Sequence, residues 1–310
     1  MRGWLHADGA RASPFLIKSR AAEVAHRLCV NAIGVGCGNF AGWRILRVEL
    51  HPKPNLKVVV VMPAYNAAKT LHMTYAELPR QAVDLVIVVD DGSSDETVQI
   101  ARQLGLEIFV HDRNYGYGAN QKTCYREALR AGADIVVMVH PDYQYDPTLL
   151  PEMIRPIQTG EADVVFGSRL LGGNALQQGM PWWKYLANRA LTWAENKVFG
   201  LNLAEYHTGY RSFRRATLEG VTLEMNSDSF IFDQEIVAQM VIQGARIAEI
   251  PVPTRYFPQA SSASFVQSSV YGISILWLLL RYVLHTSGII RQRQFESLSA
   301  RYGAVSANPK

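Results

Sequence analysis

Three short runs of apolar residues punctuate the first part of the chain, at 58–62, 85–89 and 135–139. Each run is rich in Val and Ile, is too short for a helix, and is followed at once by polar or turn-forming residues. Such runs are typical of strands buried on both faces of a parallel sheet. Segments with helical spacing follow at 67–78, 94–104 and 117–131, so the pattern alternates strand and helix.

The alternation continues, less regularly, towards the C-terminal side. Strands are predicted at 107–110, 163–166, 209–214 and 247–250, and helices at 147–158, 181–199 and 232–243. This order predicts an α/β fold with a Rossmann-like, mostly parallel sheet flanked by helices and joined by right-handed crossovers. An apolar segment at 270–284 predicts one more helix. No run of eighteen uninterrupted apolar residues occurs, so a full membrane span is not predicted.

Two boundaries divide the chain into three predicted regions. Residues 1–54 carry scattered arginines and no sustained period, and are expected to be a poorly ordered N-terminal extension that ends in a Pro-rich linker. Its apolar stretch is weak as a secretory signal. The catalytic domain is predicted at 55–258, and a helical segment with a tail at 259–310.

Composition narrows the class of protein without naming a function. The 310 residues are 48% hydrophobic and 19% charged, as in ordinary globular proteins. A net charge of +4 is too weak by itself to indicate nucleic-acid binding. The three cysteines show no CxxC spacing, so neither a zinc site nor a disulfide framework is predicted, and a cytoplasmic setting fits best.

The candidate chemistry begins where the predicted strands end. Asp90 and Asp91 follow the second strand directly, and Pro63, Tyr65 and Asn66 follow the first. The carboxyl edge of an open α/β sheet is where ligands bind. Asp91 is therefore expected to accept from a base N–H or a ribose hydroxyl, while Ser94 and Asp95 are also explained as caps of the next helix.

A cation site is predicted after the strand at 135–139. Asp142 is the best candidate ligand, with Gln144 and His140 in support, because Mg²⁺ takes few protein ligands and keeps those of a bound diphosphate. A turn stabilised by Asp and Pro is the structural alternative. Such a cation would neutralise charge on a leaving nucleoside diphosphate.

Two further sets of residues suit an anionic ligand. Asn114 and Gly118 belong to a glycine-rich entry to a helix, which offers backbone N–H groups, although Gln121 breaks the dinucleotide pattern GxGxxG. The arginines Arg169, Arg211 and Arg255 follow strand or turn segments and suit phosphate recognition. Asp233 and Glu235 open a helix, where the helix dipole also favours acids, and are the candidates for a general base.

Together these stretches resemble the family 2 inverting glycosyltransferases with a GT-A fold, especially the dolichyl- or polyprenyl-phosphate mannose synthases. The similarity covers about residues 57–256, in the family's order. The matching stretches are 63–66, 90–95, 114–118, 142–144, 167–169, 208–211 and 249–253. The resemblance implies that Pro63, Tyr65 and Asp91 meet the nucleotide, that Asp142 and Gln144 hold Mg²⁺ or Mn²⁺, and that the three arginines meet phosphates.

Two departures from the family bear on this expectation. Ala67 stands where the family usually has Glu, and His140 replaces the first Asp of the family's Asp-x-Asp. Loss of one negative charge beside the metal puts its affinity in question, and imidazole favours manganese over magnesium. A nucleotide-sugar-binding protein with little turnover therefore stays an alternative. A nucleotidyltransferase is disfavoured because no glycine-rich triphosphate loop follows the first strand.

The acceptor and the membrane are left open by the sequence. A sugar from GDP-mannose or a UDP-sugar is expected to move to a polyprenyl phosphate, whose oxygen is already ionised. A saccharide or glycolipid hydroxyl is the alternative and would need Asp233 or Glu235 as a base. The segment at 270–284 fits either a helix at the inner membrane surface or a core or dimer helix.

Overall fold

The computed structural model describes residues 56–173, 175–255 and 265–296, with side chains from 267 in the last range. The predicted extension at 1–54 lies outside the described residues, as do residues 256–264 and 297–310. The predicted domain boundaries therefore stay predictions.

Seven strands form one sheet in the order β3-β2-β1-β4-β6-β5-β7. Their bounds are β1 Val58–Ala64, β2 Leu85–Asp90, β3 Glu107–Val110, β4 Ile135–Met138, β5 Val164–Ser168, β6 Arg211–Arg214 and β7 Ile247–Pro251. All neighbouring pairs are parallel except those of β6, which runs antiparallel to both β4 and β5. The predicted fold class, a mostly parallel sheet with flanking helices, is confirmed.

Eight α-helices lie in the described part of the chain. They are α1 Leu71–Ala76, α2 Thr97–Gln103, α3 Tyr117–Arg130, α4 Leu150–Gln158, α5 Trp182–Phe199, α6 Arg215–Gly220, α7 Phe232–Ile242 and α8 Phe265–Thr286. A short 3₁₀ turn, Pro147–Leu149, precedes α4. The short α6 was not predicted from the sequence.

The sheet buries a separate apolar core on each face. Alternate residues of β1 point to opposite sides, so Val59 joins one core and Val60 the other. The first core is covered by residues of α3, α7 and α8, and the second by residues of α1, α2 and α4. Burial on both faces explains why the strands appear in the sequence as continuous apolar runs.

Two predicted helices begin later than expected, because side chains between residues 93 and 97 accept hydrogen bonds from the backbone N–H groups near each helix start. The N–H groups of Asn66, Ala67 and Ala68 donate to the side chains of Ser93, Thr97 and Asp95, so α1 starts at Leu71. The Oδ1 atom of Asp95 accepts from the N–H of Thr97 at 3.0 Å, at the first residue of α2. The N-cap position itself is taken by Glu96, so neither Ser94 nor Asp95 is the N-cap that was predicted, although Asp95 accepts from the first N–H of the helix.

The C-terminal helix is longer than the predicted segment. Helix α8 has 22 residues. Within the described ranges one helix, over Gln267–Thr286, is long and apolar enough to cross a membrane by length and composition, with a mean hydropathy of 1.2. Only 22% of that window is buried in the protein. The helix itself was predicted, but the search for eighteen uninterrupted apolar residues did not find this 20-residue window because Gln, Ser and Arg interrupt it.

Candidate active site

The carboxyl ends of β1, β2 and β4 bring the predicted site residues to one edge of the sheet. Ala64 pairs with Asp90 across β1 and β2, and the N–H of Val139 donates to the carbonyl of Val61 at 3.0 Å. The segments that start at Asp90 and at His140 therefore leave the sheet on either side of the end of β1. The convergence expected from the strand pattern is present.

Asp90 is fully buried and shapes the turn after β2. Its Oδ2 accepts from the N–H of Ser93 at 2.9 Å, and its Oδ1 accepts from the Ser93 hydroxyl. The Ser93 hydroxyl in turn accepts from the N–H of Asn66. Asp90 holds the loops after β1 and β2 together. Its predicted direct contact with the nucleotide-sugar donor does not fit this geometry.

The carboxylate of Asp91 also accepts its hydrogen bonds from protein groups, in the loop that borders the site. It is 2% exposed and accepts from His111 Nδ1 at 2.7 Å, from the N–H of Tyr115 at 3.0 Å and from the N–H of Gly116 at 2.9 Å. Asp91 thus fixes the loop that leads into α3. Sequence reasoning missed His111; its position directly after β3 was the available signal.

Tyr65 and Asn66 form the outer part of this edge. The Tyr65 side chain is 54% exposed, and Asn66 has a positive φ of 52°. A non-glycine residue in the left-handed region is uncommon and often marks a functional site. Asn66 Oδ1 accepts from the N–H of Ser94 at 2.9 Å, so this conformation is held by the loop after β2. Pro63 lies within β1, opposite Val89.

The glycine-rich entry to α3 is filled by protein. The N–H of Gly118 donates to the carbonyl of Asp228 at 2.8 Å, and a Cβ on Gly118 would lie 2.4 Å from the Ser227 carbonyl oxygen. Gly118 is therefore explained by the close approach of the 227–228 segment. The predicted contact of Gly118 with the nucleotide-sugar donor does not fit this geometry. Asn114, four residues earlier, is exposed on the surface.

Asp142 has the features expected of a ligand for a divalent cation. Its Oδ1 accepts from the N–H of Gln144 at 3.1 Å, and the residue is half-buried. Burial raises the pKa of Asp142, although His140 and the Gln144 N–H oppose the shift. A half-buried carboxylate at this edge of the sheet suits a cation that offsets its charge.

His140 is packed against protein groups on two sides. Its Nε2 lies 3.3 Å from the Tyr117 hydroxyl, the two rings stack at 5.7 Å, and a Cβ on Gly209 would lie 2.5 Å from His140 Cδ2. Burial lowers the pKa of His140, against the opposite effects of Asp142 and Asp233. The Nε2 of His140 is not presented to a cation in this conformation, which differs from the prediction.

No group of three or more His, Cys, Asp or Glu side chains in the described ranges is placed to hold a metal ion. Any cation bound by Asp142 would therefore take most of its ligands from the substrate and water, which is the arrangement that Mg²⁺ adopts with diphosphates.

All three predicted phosphate-binding arginines are paired with protein oxygens, Arg255 through the Glu77 carboxylate at 3.0 Å. Arg211 is 1% exposed and donates to the carbonyls of Thr208, Asp233 and Tyr206 at 2.8–2.9 Å. Arg169 donates to the buried carboxylate of Glu205 through Nε at 2.9 Å and also through Nη2. For Arg211 the predicted phosphate contact does not fit, because no N–H of the guanidinium faces solvent.

A cation that the sequence reasoning missed lies beside Arg169. Lys184, in the first turn of α5, has its pKa lowered by burial and by the positive charge of Arg169. Its ammonium group lies 5.4 Å from the centroid of the Trp183 ring. The positive charge of Arg169 thus acts on Lys184, although Arg169 is itself paired with the carboxylate of Glu205. The pair of basic side chains was hard to find because 169 and 184 belong to different elements.

The two candidate bases on α7 are both engaged. Asp233 accepts from the Tyr117 hydroxyl at 2.8 Å and from Gln121 Nε2 at 3.0 Å, and it lies 3.5 Å from Arg211 Nη1. Glu235 is 5% exposed and accepts from the N–H of Ser227 at 2.6 Å. Asp233 therefore borders the His140–Tyr117 pair, whereas Glu235 fastens the 227–228 segment.

Comparison with known proteins agrees with this fold. The sequence profile described as "Glycosyl transferase family 2" matches residues 59–222. The undecaprenyl-phosphate mannosyltransferase of Micrococcus luteus is 28% identical over 209 residues, 64% of this chain and 83% of the relative. The polyprenol monophosphomannose synthase of Mycolicibacterium smegmatis is 24% identical over 208 residues, 64% of this chain and 78% of the relative.

The fold has counterparts among solved structures. Glucosyl-3-phosphoglycerate synthase from Mycobacterium tuberculosis, solved with phosphoglyceric acid, superposes with a TM-score of 0.58 at 20% identity, over 79% of this chain and 85% of that one. The chain belongs to glycosyltransferase family 2, and it is a hexosyltransferase with a GT-A fold. The family resemblance predicted from the motifs is confirmed.

Proposed function

We propose that this enzyme transfers a hexose, with inversion, from a nucleoside diphosphate sugar to a polyprenyl phosphate at a membrane surface. The choice of a phosphate acceptor rests on one observation. Both candidate bases on α7, Asp233 and Glu235, already accept hydrogen bonds from protein groups.

A hydroxyl acceptor needs a base that can take its proton in the transition state. Asp233 accepts from two side-chain donors and lies next to the guanidinium of Arg211, so its oxygens are already occupied by protein groups. Glu235 is buried against Ser227. A phosphate acceptor avoids this difficulty because its oxygen is ionised near neutral pH, and catalysis then depends on positioning and charge stabilisation.

The names of the relatives support the same acceptor class. The relatives above act on undecaprenyl phosphate and polyprenol phosphate by name, and a UDP-N-acetylglucosamine–dolichyl-phosphate N-acetylglucosaminyltransferase of Methanococcus voltae is 26% identical over 216 residues. The sugars in these names differ and only one name prints a nucleotide, so the names favour a lipid phosphate without choosing between a guanosine and a uridine donor.

Each part of the edge has a proposed role in the transfer. Tyr65 and the loop organised by Asp91 receive the nucleotide, and Asp142, with Gln144 beside it, holds Mg²⁺ or Mn²⁺. The cation, when bound, neutralises charge on the departing diphosphate. Lys184 and Arg169 attract the acceptor phosphate, which attacks the anomeric carbon opposite the leaving group. His140 and Tyr117 pack behind Asp142 and close that side of the site.

The surface formed by α5 and α8 is the proposed membrane contact. The two helices pack together, with the Phe199 and Tyr282 rings 4.9 Å apart. Their exposed large apolar side chains are Trp182, Leu186, Trp193, Val270, Ile273, Leu276, Trp277, Leu280 and Val283. Helix α8 contains no acidic residue, and the one acid of α5, Glu195, is buried. Exposed Trp and Leu with flanking Arg and Lys suit an anionic lipid surface.

A screen of nucleoside diphosphates by thermal shift tests the proposed function. We expect GDP or UDP, each at about one hundred times its Kd and with Mn²⁺, to raise Tm by about 5 °C. The same nucleotide without Mn²⁺ should give a smaller shift. If neither nucleotide shifts Tm in the presence of Mn²⁺ or Mg²⁺, the proposed donor site is wrong.

A further inference from the structure

The loop that follows Asp142 holds an unfavourable backbone conformation. Tyr143, the next residue, has a φ of 61°, one of two positive values among the non-glycine residues of the described chain. A bulky residue in the left-handed region is an outlier that persists only when its surroundings hold it there. The conformation of Tyr143 sets the direction in which the chain leaves Asp142.

Glu77, at the end of α1, holds Tyr143 and a second residue at the same time. One carboxylate oxygen of Glu77 accepts from the Tyr143 hydroxyl, and the other accepts from Arg255 Nη1 at 3.0 Å. The hydrogen bond from Tyr143 to Glu77 raises the pKa of the Tyr143 phenol. A carboxylate that uses both oxygens in this way joins the loop after β4 to the segment after β7.

Arg255 and Thr254 fasten the rest of the loop. The Arg255 guanidinium carbon lies 4.2 Å from the centroid of the Tyr143 ring, and the N–H of Arg255 donates to the Gln144 carbonyl at 2.8 Å. Arg255 Nη2 lies 3.8 Å from Asp146 Oδ2, and Tyr145 forms a bridge with Thr254. Each residue from 143 to 146 thus has a contact with Glu77 or with 254–255.

We propose that Glu77 is a positioning residue, which clamps Tyr143 and Arg255 and thereby orients Asp142 towards the cation and the diphosphate. This inference rests on the proposed function, because it concerns the proposed nucleotide–metal site. Arg255 then acts by holding the loop, and not as a ligand of phosphate. The competing reading is a latch, in which Glu77 withholds Arg255 from the diphosphate and must release it.

Calorimetric titration of GDP and UDP, with and without Mn²⁺, separates the clamp from the latch. The variants are Glu77→Gln and Tyr143→Phe, which each remove one bond of the clamp, with the exposed Glu161→Gln as the matched control. The clamp predicts that both variants weaken Mn²⁺-dependent binding by about tenfold and leave Mn²⁺-free binding unchanged. The double variant should be no weaker than the single ones, because the two residues act through one contact.

Four results would overturn the clamp. Tighter nucleotide binding by Glu77→Gln would establish the latch instead, and unchanged binding in both variants would show that Glu77 does not orient the site. Absence of Mn²⁺-dependent binding by the wild type would overturn the proposed metal site and the clamp with it. Equal weakening of nucleotide binding with and without Mn²⁺ would assign Glu77 a general structural role. Circular dichroism verifies that Tyr143→Phe is folded in every titration.

Discussion

The guanidinium of Arg211 lies 3.5 Å from the carboxylate of Asp233, beneath the candidate active site. Arg211 is almost completely buried, and its other donors reach three backbone carbonyls between Tyr206 and Asp233. The pair joins the start of β6 to the start of α7. An arginine that the sequence suggested as a phosphate ligand therefore supports the floor of the site.

Replacing Arg211 should act on stability. We expect Arg211→Ala to lower the free energy of unfolding by about 3–5 kcal/mol, because it leaves a carboxylate and buried carbonyls without a partner. Urea unfolding measures the change, and the exposed Arg102→Ala should stay within about 0.5 kcal/mol of the wild type. An Arg211→Ala protein of normal stability that binds nucleotide or lipid phosphate poorly would support the sequence-based prediction that Arg211 binds phosphate.

Asp233 tests the nature of the acceptor. We expect Asp233→Asn to destabilise the protein while turnover at a temperature well below its Tm stays within about tenfold of the wild type, since an ionised acceptor needs no base. Loss of a general base costs about 10²–10⁴-fold. Steady-state kinetics distinguish the two cases, with Asp228→Asn on the nearby loop as the matched control. A loss of 10²-fold or more in the folded variant would favour a hydroxyl acceptor.

Replacing Asp142 by Asn should raise the stability of the metal-free protein and lower its activity. Burial raises the pKa of Asp142 in the folded protein above its unfolded value, so the folded state binds the proton more tightly. Wild-type stability is then lost as pH rises from the unfolded to the folded pKa. Without metal, Asp142→Asn should unfold at a higher temperature than the wild type at pH 7, and the difference should vanish in acid.

The same variant should lose metal-assisted transfer by about 10²-fold or more. Differential scanning calorimetry in EDTA between pH 3 and 8 and Mn²⁺-dependent assays at pH 7 check the two expectations. A variant less stable than the wild type at pH 7 in EDTA, or one with unchanged Mn²⁺ dependence, would remove Asp142 from the proposed role.

The surface of α5 and α8 should bind anionic lipid. The wild type is expected to sediment with vesicles that contain anionic lipid, less so at high salt, and a Trp193→Ser/Trp277→Ser double variant should bind several-fold more weakly. Met73→Ser removes an exposed apolar side chain from α1 and serves as the control. Equal sedimentation of the double variant and the control would exclude this surface as the lipid contact.

The fold could be predicted because its signals are local. The strands at 58–62, 85–89 and 135–139 are buried on both faces and appear as apolar runs, and the residues at their ends must meet at one edge of a parallel sheet. The helix starts were less accurate. They depend on side chains such as Ser93 and Thr97, which reach across from another loop to occupy backbone donors.

The roles of charged residues were harder to predict because a sequence does not reveal partners. Arg169 finds Glu205 and Arg211 finds Asp233 across 36 and 22 residues, and Asp91 is occupied by His111 and two backbone groups. Lys184 escaped notice since nothing in the pattern around it shows that Arg169 is near. Asp142 lies at the predicted edge because it comes only four residues after the end of the central strand β4, and its role as a metal ligand stays a prediction.

The central claim is that the acceptor is a lipid phosphate, and a transfer assay with a matched pair of acceptors tests it most directly. The purified protein is incubated with Mn²⁺ and a radiolabelled GDP- or UDP-hexose, together with a polyprenyl phosphate or the corresponding polyprenol. We expect labelled lipid only from the phosphate, with no more than background from the alcohol. Transfer to the alcohol, or to a soluble saccharide, at a rate equal to or above that of the phosphate would contradict the account.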